Sequence, residues 1–435
     1  LNLLPVDERL RCIQQAGCNT FLLQNKDIYM DMLTDSGVNA MSDRQTAAMH
    51  TADDSYAGSE TFNRLKAAMK EVFGTDNVLP AHQGRACENI LAERFVKPGM
   101  VAIMNFHFTT TKAHVTRCGG EVLELVHKKG LQPQSDDPFK GDFDLRELKK
   151  TIREYGPERV AYVRVEAGTN LIGGQPVSLE NMLAVADICH EFGVPSILDA
   201  SLLQDNIYFM KTREAQCKYM TPKEIYHLLA NKMDIIYFSA RKLSFARGGA
   251  IISHNTELIK SMMEYIPLYE GFLTYGGMSV KEMEAMIVGF EETMDLDIIS
   301  QGPQFIAHCV RELDALGVPM ITPGGVQLYM NMSKLTAGAA AMLEEQNVTL
   351  DEYDNFLPSL DLLPAEAVVA LDPKRTALSV RERIHASVVE IDEYTRSTKC
   401  IKNPVEVDCL KRAVIRDGVA MVRFLMALEN RLMEG

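Results

Sequence analysis

Between residues 101 and 238, short apolar runs alternate with longer stretches whose apolar positions recur at helical spacing. The runs 101–104, 122–126, 160–165, 194–198 and 234–238 read as strands, most of them short enough and apolar enough to be buried. Leu179, Met182, Leu183, Ala186 and Cys189 fall on one helical face, with Ser178 as N-cap and Gly193 as the C-terminal stop. This alternation predicts an α/β fold, a mostly parallel sheet with helices on both faces. Ligands on such sheets sit outside the carboxyl ends of the strands, so the polar residues that follow each strand carry the functional question.

The chain ends differ. A helical pattern over 305–316 leads into a strand-like 326–330, and 347–383 carries several prolines and uneven periodicity. Residues 405–432 read as a helix packed through Leu410, Val414, Val419, Val422 and Leu425. We read residues 41–300 as a large domain. Residues 1–40, a segment that also contributes to an interface, and 301–435 build a smaller α+β domain from both chain ends. No internal repeat or low-complexity segment is visible.

Composition narrows the function classes. The 435 residues are 46% hydrophobic and 24% charged, which is globular composition rather than disorder. Forty-five Lys and Arg against 59 Asp and Glu leave a net charge of −14, so no nucleic-acid partner is expected, although one local phosphate pocket is compatible with it. Nine scattered cysteines without a C-x-x-C pair point to neither a disulfide framework nor a zinc site. No apolar run approaches the roughly 18 residues of a membrane helix, and residues 1–12 carry Asp7, Glu8, Arg9 and Arg11 instead of a signal-peptide core. The expected setting is soluble, reducing and cytoplasmic, without membrane association.

Four features lie at strand ends or loops. In Ala81-His82-Gln83-Gly84-Arg85, a glycine and an arginine open a helix; backbone N–H groups there can cup a phosphate, although such a sequence is often only a turn with a solvated charge. Asp199 ends the 194–198 run, where a carboxylate can keep a pyridine nitrogen protonated or simply cap a helix. Ser239, Arg241 and Lys242 follow 234–238: the serine can hold phosphate and the lysine can form a Schiff base, or the lysine can be a solvated surface group. Phe106 and Phe108 follow 101–104, where an aromatic ring can lie on a planar heterocycle or serve the core.

Each signal is ordinary alone. Their joint order, phosphate cup, aromatic, aspartate and lysine, is that of fold-type-I pyridoxal phosphate enzymes, with an aspartate-aminotransferase-like large domain. From Asp7 to about Glu291 the chain resembles the tyrosine phenol-lyase and tryptophanase group of β-eliminating lyases. The resemblance is carried by Asn19-Thr20-Phe21-Leu22-Leu23, Leu33-Thr34-Asp35-Ser36-Gly37, Asn39-Ala40-Met41-Ser42-Asp43, Tyr56-Ala57-Gly58-Ser59-Glu60, His82-Gln83-Gly84-Arg85, Phe108-Thr109-Thr110-Thr111, Asn170-Leu171, Gly173-Gly174-Gln175-Pro176-Val177-Ser178 and Tyr275-Gly276-Gly277.

The resemblance implies that Gln83, Gly84, Arg85 and Ser239 hold the cofactor phosphate with Arg241 close by. Phe108 would stack on the ring, Asp199 pair with its nitrogen, Asn170 bond its hydroxyl and Lys242 carry the Schiff base. Tyr56, from a neighbouring subunit, would be the acid that protonates the leaving group. Thr34, Ser36, Thr109 and Phe272 would line the substrate side, and the carbonyl of Gly37 with Asp54 would hold a monovalent cation such as potassium. These roles imply a homodimer or homotetramer with active sites at the subunit interface and an amino acid as substrate.

Several positions depart from the family pattern. Leu202 stands where the family has an arginine three residues after the aspartate, Leu243 replaces an aspartate after the lysine, and Val326 replaces a histidine after Gly324-Gly325. For the arginine that grips the substrate carboxylate the candidates are Arg396 and Lys399, with Arg381 and Arg383 behind them; lysine lacks the bidentate fork. The expected activity is β-elimination from an amino acid with altered substrate, giving pyruvate and ammonium. The alternatives are another reaction on the same cofactor (β-substitution, γ-elimination, decarboxylation or transamination) and a non-catalytic binding protein on the same fold.

Overall fold

The computed structural model describes residues 3–29, 31, 33, 34, 36, 40–318, 320–322, 324–330, 356–364, 366–371 and 378–391. The chain divides into two compact units, Thr34–Asn331, and Leu1–Leu33 with Met332–Gly435. The 405–432 helix, Arg396, Lys399 and Gly37 lie outside the described residues.

The larger unit is built on a seven-stranded sheet in the order β1-β7-β6-β5-β4-β2-β3. Its strands are β1 (Val78–Ala81), β2 (Val101–Met104), β3 (Glu121–Glu124), β4 (Val160–Glu166), β5 (Ser196–Asp199), β6 (Ile235–Ser239) and β7 (Gly249–Ile252). Strands β3, β2, β4, β5 and β6 run parallel, whereas β7 is antiparallel to both β6 and β1. The fold is α/β with a mostly parallel central sheet, as the alternating pattern predicts.

Strand alternation divides the core between the two faces. Val101, Ile103, Val163, Val165, Leu198, Ile236 and Phe238 face one cluster, which takes in the helices Glu60–Phe73, Leu179–Phe192, Pro222–Lys232 and Val280–Glu292. Ala102, Met104, Tyr162, Ile197, Ile235 and Tyr237 face the other, built chiefly on the helix Gly84–Phe95. The helix Leu179–Phe192 is capped as expected: the Ser178 side chain accepts from Asn181 N, and Gly193 closes it at φ 67°.

Three local expectations change. The 122–126 run shortens to the edge strand β3, and Val126 instead makes an isolated bridge with Phe143. Residues 326–330 form no sheet strand. The N–H of Val326 donates to the Gly174 carbonyl, that of Ile321 to the Tyr329 carbonyl, and a Cβ on Gly325 would stand 2.4 Å from the Gly174 carbonyl oxygen and 2.5 Å from that of Gly173. Strand β7 has no counterpart in the pattern, because it begins on the second of two glycines, Gly248-Gly249, and its four residues carry no alternation of their own.

In the smaller unit, the helix Val6–Gln15 is described together with a parallel strand pair, β8 (Val368–Leu371) and β9 (Ser387–Glu390), and the helices Phe356–Leu360 and Leu378–Arg383. Arg383 pairs with Asp361 at 2.9 Å and Arg381 with Glu390 at 3.3 Å.

Candidate active site

The site assembles where β4, β5 and β6 end. Gln83 is the extended N-cap of the helix Gly84–Phe95. Gly84 packs against Ser239 at the end of β6: a Cβ on Gly84 would stand 2.8 Å from Ser239 Cβ and 3.0 Å from its Cα. A side chain there would close the space, so the helix N-terminus and the serine form one cradle only because residue 84 is glycine. Ser239 N donates to Ser201 Oγ at 2.9 Å, which links the cradle to the turn after β5. Arg85 is exposed and Arg241 half-buried.

Gln83 is positioned from outside the cradle. Its Nε2 lies 2.8 Å from His82 Nε2, and His82 Nδ1 lies 2.5 Å from Glu270 Oε2, which also accepts from His82 N. With the histidine neutral, Glu270 fixes the proton on Nδ1 and leaves Nε2 as acceptor for the amide of Gln83.

Lys242 follows β6 in the short helix Ala240–Leu243. Its Nζ lies over the Phe108 ring at 5.3 Å from the centroid, and Gln204 Nε2 donates to its backbone carbonyl at 2.5 Å. Phe108 is the extended N-cap of the helix Thr109–Arg117. Thr109 is exposed at the start of that helix, while the hydroxyls of Thr110 and Thr111 donate to Glu88 at 2.5 and 2.6 Å.

Asp199 is buried at the end of β5 and fully engaged. Its Oδ2 accepts from Arg164 Nη2 at 2.5 Å and from the Tyr237 hydroxyl at 2.8 Å; its Oδ1 accepts from Ser201 N at 2.9 Å. Arg164, 1% exposed, also donates through Nη1 to Glu166 Oε2 at 3.1 Å and through Nε to the Tyr237 hydroxyl at 2.8 Å. Sheet register explains the meeting, because Glu166 pairs laterally with Asp199 and Asp199 with Tyr237. Asn170, in the turn after β4, donates its N–H to Glu166 Oε1 at 3.1 Å.

The electrostatics follow from burial and this pairing. Burial alone would raise the Asp199 carboxyl, but the Arg164 guanidinium and the donors from Ser201 and Tyr237 hold it below the ordinary carboxylate range. Glu166 and Glu88 go the other way: burial raises both, and Arg164 only partly offsets it. Negative charge is therefore concentrated on Asp199.

A separate aromatic group gathers Tyr56, Phe272 and Tyr275. The Tyr56 and Phe272 centroids are 5.2 Å apart, and the Tyr56 and Tyr275 hydroxyls lie 3.3 Å from each other. Tyr56 is 64% exposed, and its hydroxyl, with burial and Asp54 adding to the effect, pushes the Tyr275 phenol up. Asp54 and Thr34 are exposed, and Ser36 N donates to Thr34 Oγ1 at 3.0 Å. The structure thus brings Gln83, Gly84, Ser239, Asp199, Lys242, Phe108 and Asn170 to one end of the sheet, and Tyr56 to Phe272. Among the described residues no group of three or more His, Cys, Asp or Glu is placed to hold a metal ion. No described helix is long and apolar enough to cross a membrane.

Arg164, Glu166, Tyr237, Glu88 and Glu270 were not anticipated. A signal was present for two of them: Arg164 and Glu166 are opposite charges at alternate positions of an otherwise apolar central strand, hence on one face.

The fold is shared with an aspartate aminotransferase of Thermus thermophilus solved with maleate, at TM-score 0.51 and 16% identity over 71% of this chain and 79% of that one. The chain accordingly has the fold of fold-type-I pyridoxal phosphate enzymes. Residues 31–370 match the family described as beta-eliminating lyase. Relatives include tyrosine phenol-lyases of Lacrimispora saccharolytica, 39% identical over 87% of this chain and 78% of that protein, and of Nostoc punctiforme, 33% identical over 87% of each. The chain belongs to the beta-eliminating lyase family and is a pyridoxal phosphate-dependent lyase.

The residues present fit that cofactor. The helix N-terminus at Gly84 beside Ser239 suits a phosphate, the charge focused on Asp199 suits a protonated ring nitrogen, and Lys242 shares the face of Phe108 with any ring stacked there.

Proposed function

We propose that the protein catalyses β-elimination from an amino acid, releasing a Cβ leaving group and forming pyruvate and ammonium, with a substrate other than tyrosine or tryptophan. The observation that carries this reading is the joint placement of Lys242 over Phe108 and of the buried Asp199 against Arg164.

Pyridoxal phosphate, when bound, supplies a carbonyl that links to amines and a ring that accepts the charge developing at Cα. The chain's own groups do the rest. Gln83, Gly84, Arg85 and Ser239, with Arg241 nearby, hold the phosphate. Asp199 holds the proton on the ring nitrogen and Asn170 orients the ring hydroxyl. Lys242 Nζ would hold the cofactor's carbonyl and would take the α-proton of the substrate. Tyr56, contributed by a second subunit of a homodimer or homotetramer, gives its phenolic proton to the leaving group. Water then completes the balance: substrate plus water yields the protonated leaving group, pyruvate and ammonium.

Thr34, Ser36, Thr109 and Phe272 belong to substrate recognition in this reading, and Arg396 or Lys399 to the carboxylate grip. A monovalent cation at Gly37 and Asp54 belongs to the same reading, as does a cytoplasmic setting. The altered substrate is favoured by Leu202 and Leu243, both buried apolar residues at positions where the family resemblance expects charge. A different reaction on the same cofactor is the second reading, favoured by the same two residues.

The test is the visible spectrum of the holoenzyme during addition of a panel of amino acids, followed by product analysis. A long-wavelength band with pyruvate and ammonium released supports β-elimination. A new amino acid that retains the nitrogen supports β-substitution instead. A cofactor band that no amino acid perturbs refutes the substrate reading.

A further inference from the structure

We propose that Arg164 is a positioning residue for the cofactor's ring nitrogen, acting through Asp199. Its guanidinium, itself fixed by Glu166 and Tyr237, holds the Asp199 carboxylate ionised and in one orientation at the end of β5. The inference rests on the reading that Asp199 pairs with that nitrogen.

Geometry carries it. The three nitrogens of Arg164 reach three strands: Nη1 to Glu166 on β4, Nη2 to Asp199 on β5, and Nε to Tyr237 on β6. Both oxygens of Asp199 are engaged, Oδ2 by Arg164 and Tyr237 and Oδ1 by Ser201 N, so rotation of the carboxylate would break at least two bonds. Arginine keeps its proton at any working pH, so it supplies a permanent positive charge inside the sheet.

The cation does not come from the turn after β5. Leu202, in that turn, is 5% exposed and packs its side chain beside Gly168. The charge comes instead from the neighbouring strand. Stability alone does not account for such a cluster, because a buried ion pair is often no more stabilising than apolar residues of equal volume. Around Arg164 stand Glu166, Asp199 and Glu88, the last 3.3 Å from the Tyr237 hydroxyl. Without the guanidinium, three buried carboxyl groups would face one another, and Asp199 would take up a proton. A neutral Asp199 cannot hold a pyridinium.

The experiment uses holoenzyme reconstituted with pyridoxal 5′-phosphate carrying ¹⁵N in the ring, read by the nitrogen chemical shift together with the cofactor dissociation constant. In the unsubstituted protein the shift lies in the pyridinium range. Arg164→Met moves it toward neutral pyridine and raises the dissociation constant about tenfold or more, the loss expected for a charge-assisted hydrogen bond. Arg164→Lys, which keeps the charge but not the fork, restores part of the pyridinium signal. Tyr237→Phe, which removes one donor to Oδ2, moves it part of the way.

A purely structural role predicts lower thermal stability with an unmoved nitrogen signal, and that result in a folded Arg164 variant overturns the proposal. Should neither Arg164 variant fold, an unmoved signal in Tyr237→Phe overturns it equally. A neutral ring nitrogen in the unsubstituted holoenzyme, or an Asp199→Asn variant with an unchanged signal, refutes the underlying reading of Asp199 instead.

Discussion

The Nζ of Lys242 stands 5.3 Å from the centre of the Phe108 ring, although the two lie 134 positions apart in the sequence (242 − 108). Helix Thr109–Arg117 begins directly after Phe108, and Lys242 sits in the short helix after β6, so two element ends set this distance rather than loop flexibility. Lys242→Ala should lower elimination turnover by about 10³-fold or more, the range expected when a positioned base is lost. The cofactor should still bind without a covalent link, as a change in its visible band and its release on dialysis would report. Undiminished turnover would remove the lysine from the mechanism.

Gly84→Ala places a methyl group 2.8 Å from Ser239 Cβ, closer than side-chain carbons approach one another. Overpacking of this kind costs about 1–3 kcal/mol, and here the strain falls on the proposed phosphate cradle. Denaturant unfolding of the apoprotein and fluorescence titration with the cofactor should both show the loss. Weaker cofactor binding is the decisive component; equal affinity in the variant would place the phosphate elsewhere.

Tyr56→Phe separates two proton transfers. Its hydroxyl, 3.3 Å from that of Tyr275, makes none of the bonds to Asp199, so the charge at the ring-nitrogen site should be unchanged. Exchange of the substrate α-proton with deuterated water should continue, while release of the leaving group falls about 10²- to 10⁴-fold. Parallel loss of exchange and elimination would contradict an assignment of Tyr56 to the leaving group.

Stability should vary with pH through Asp142, whose carboxyl is pushed up by burial from the ordinary 3.8 to about 7, against the bonds from Ser178 that lower it. Between those values the folded chain holds a proton that the unfolded chain releases, so this group's contribution to stability falls as pH rises from about 4 to about 7 and is level above. Asp142→Asn removes the titration. The stability of the variant relative to the parent should therefore climb across that window, as urea melts at successive pH values would show. A constant difference would mean that Asp142 titrates normally.

Much of this architecture was legible in the chain. The strand runs at 101–104, 160–165, 194–198 and 234–238 each became a sheet strand within two residues of their limits, because parallel strands buried on both faces are apolar throughout. The helix after Ser178 began and ended at its cap residues for equally local reasons. Local pattern does not reach across strands, and the Asp199 surroundings depend on lateral register. The meeting of Arg164, Tyr237 and Asp199 requires knowing that β4, β5 and β6 are neighbours and how they align. The tie from Glu270 through His82 to Gln83 was hidden for a similar reason, since the two ends lie 187 positions apart (270 − 83).

The cluster beneath the proposed ring-nitrogen site bears on how such a site changes over descent. Loss of Arg164 alone would leave Asp199 and Glu166 buried without their shared cation, and removing one partner of a buried ion pair is strongly destabilising. Arg164, Glu166 and Tyr237 thus form a block in which each single change is costly, while residues on the substrate side such as Thr34 and Thr109 lie exposed and can change singly at little cost. Lineages carrying this block should diversify in what they bind long before they alter the electronic character of the centre.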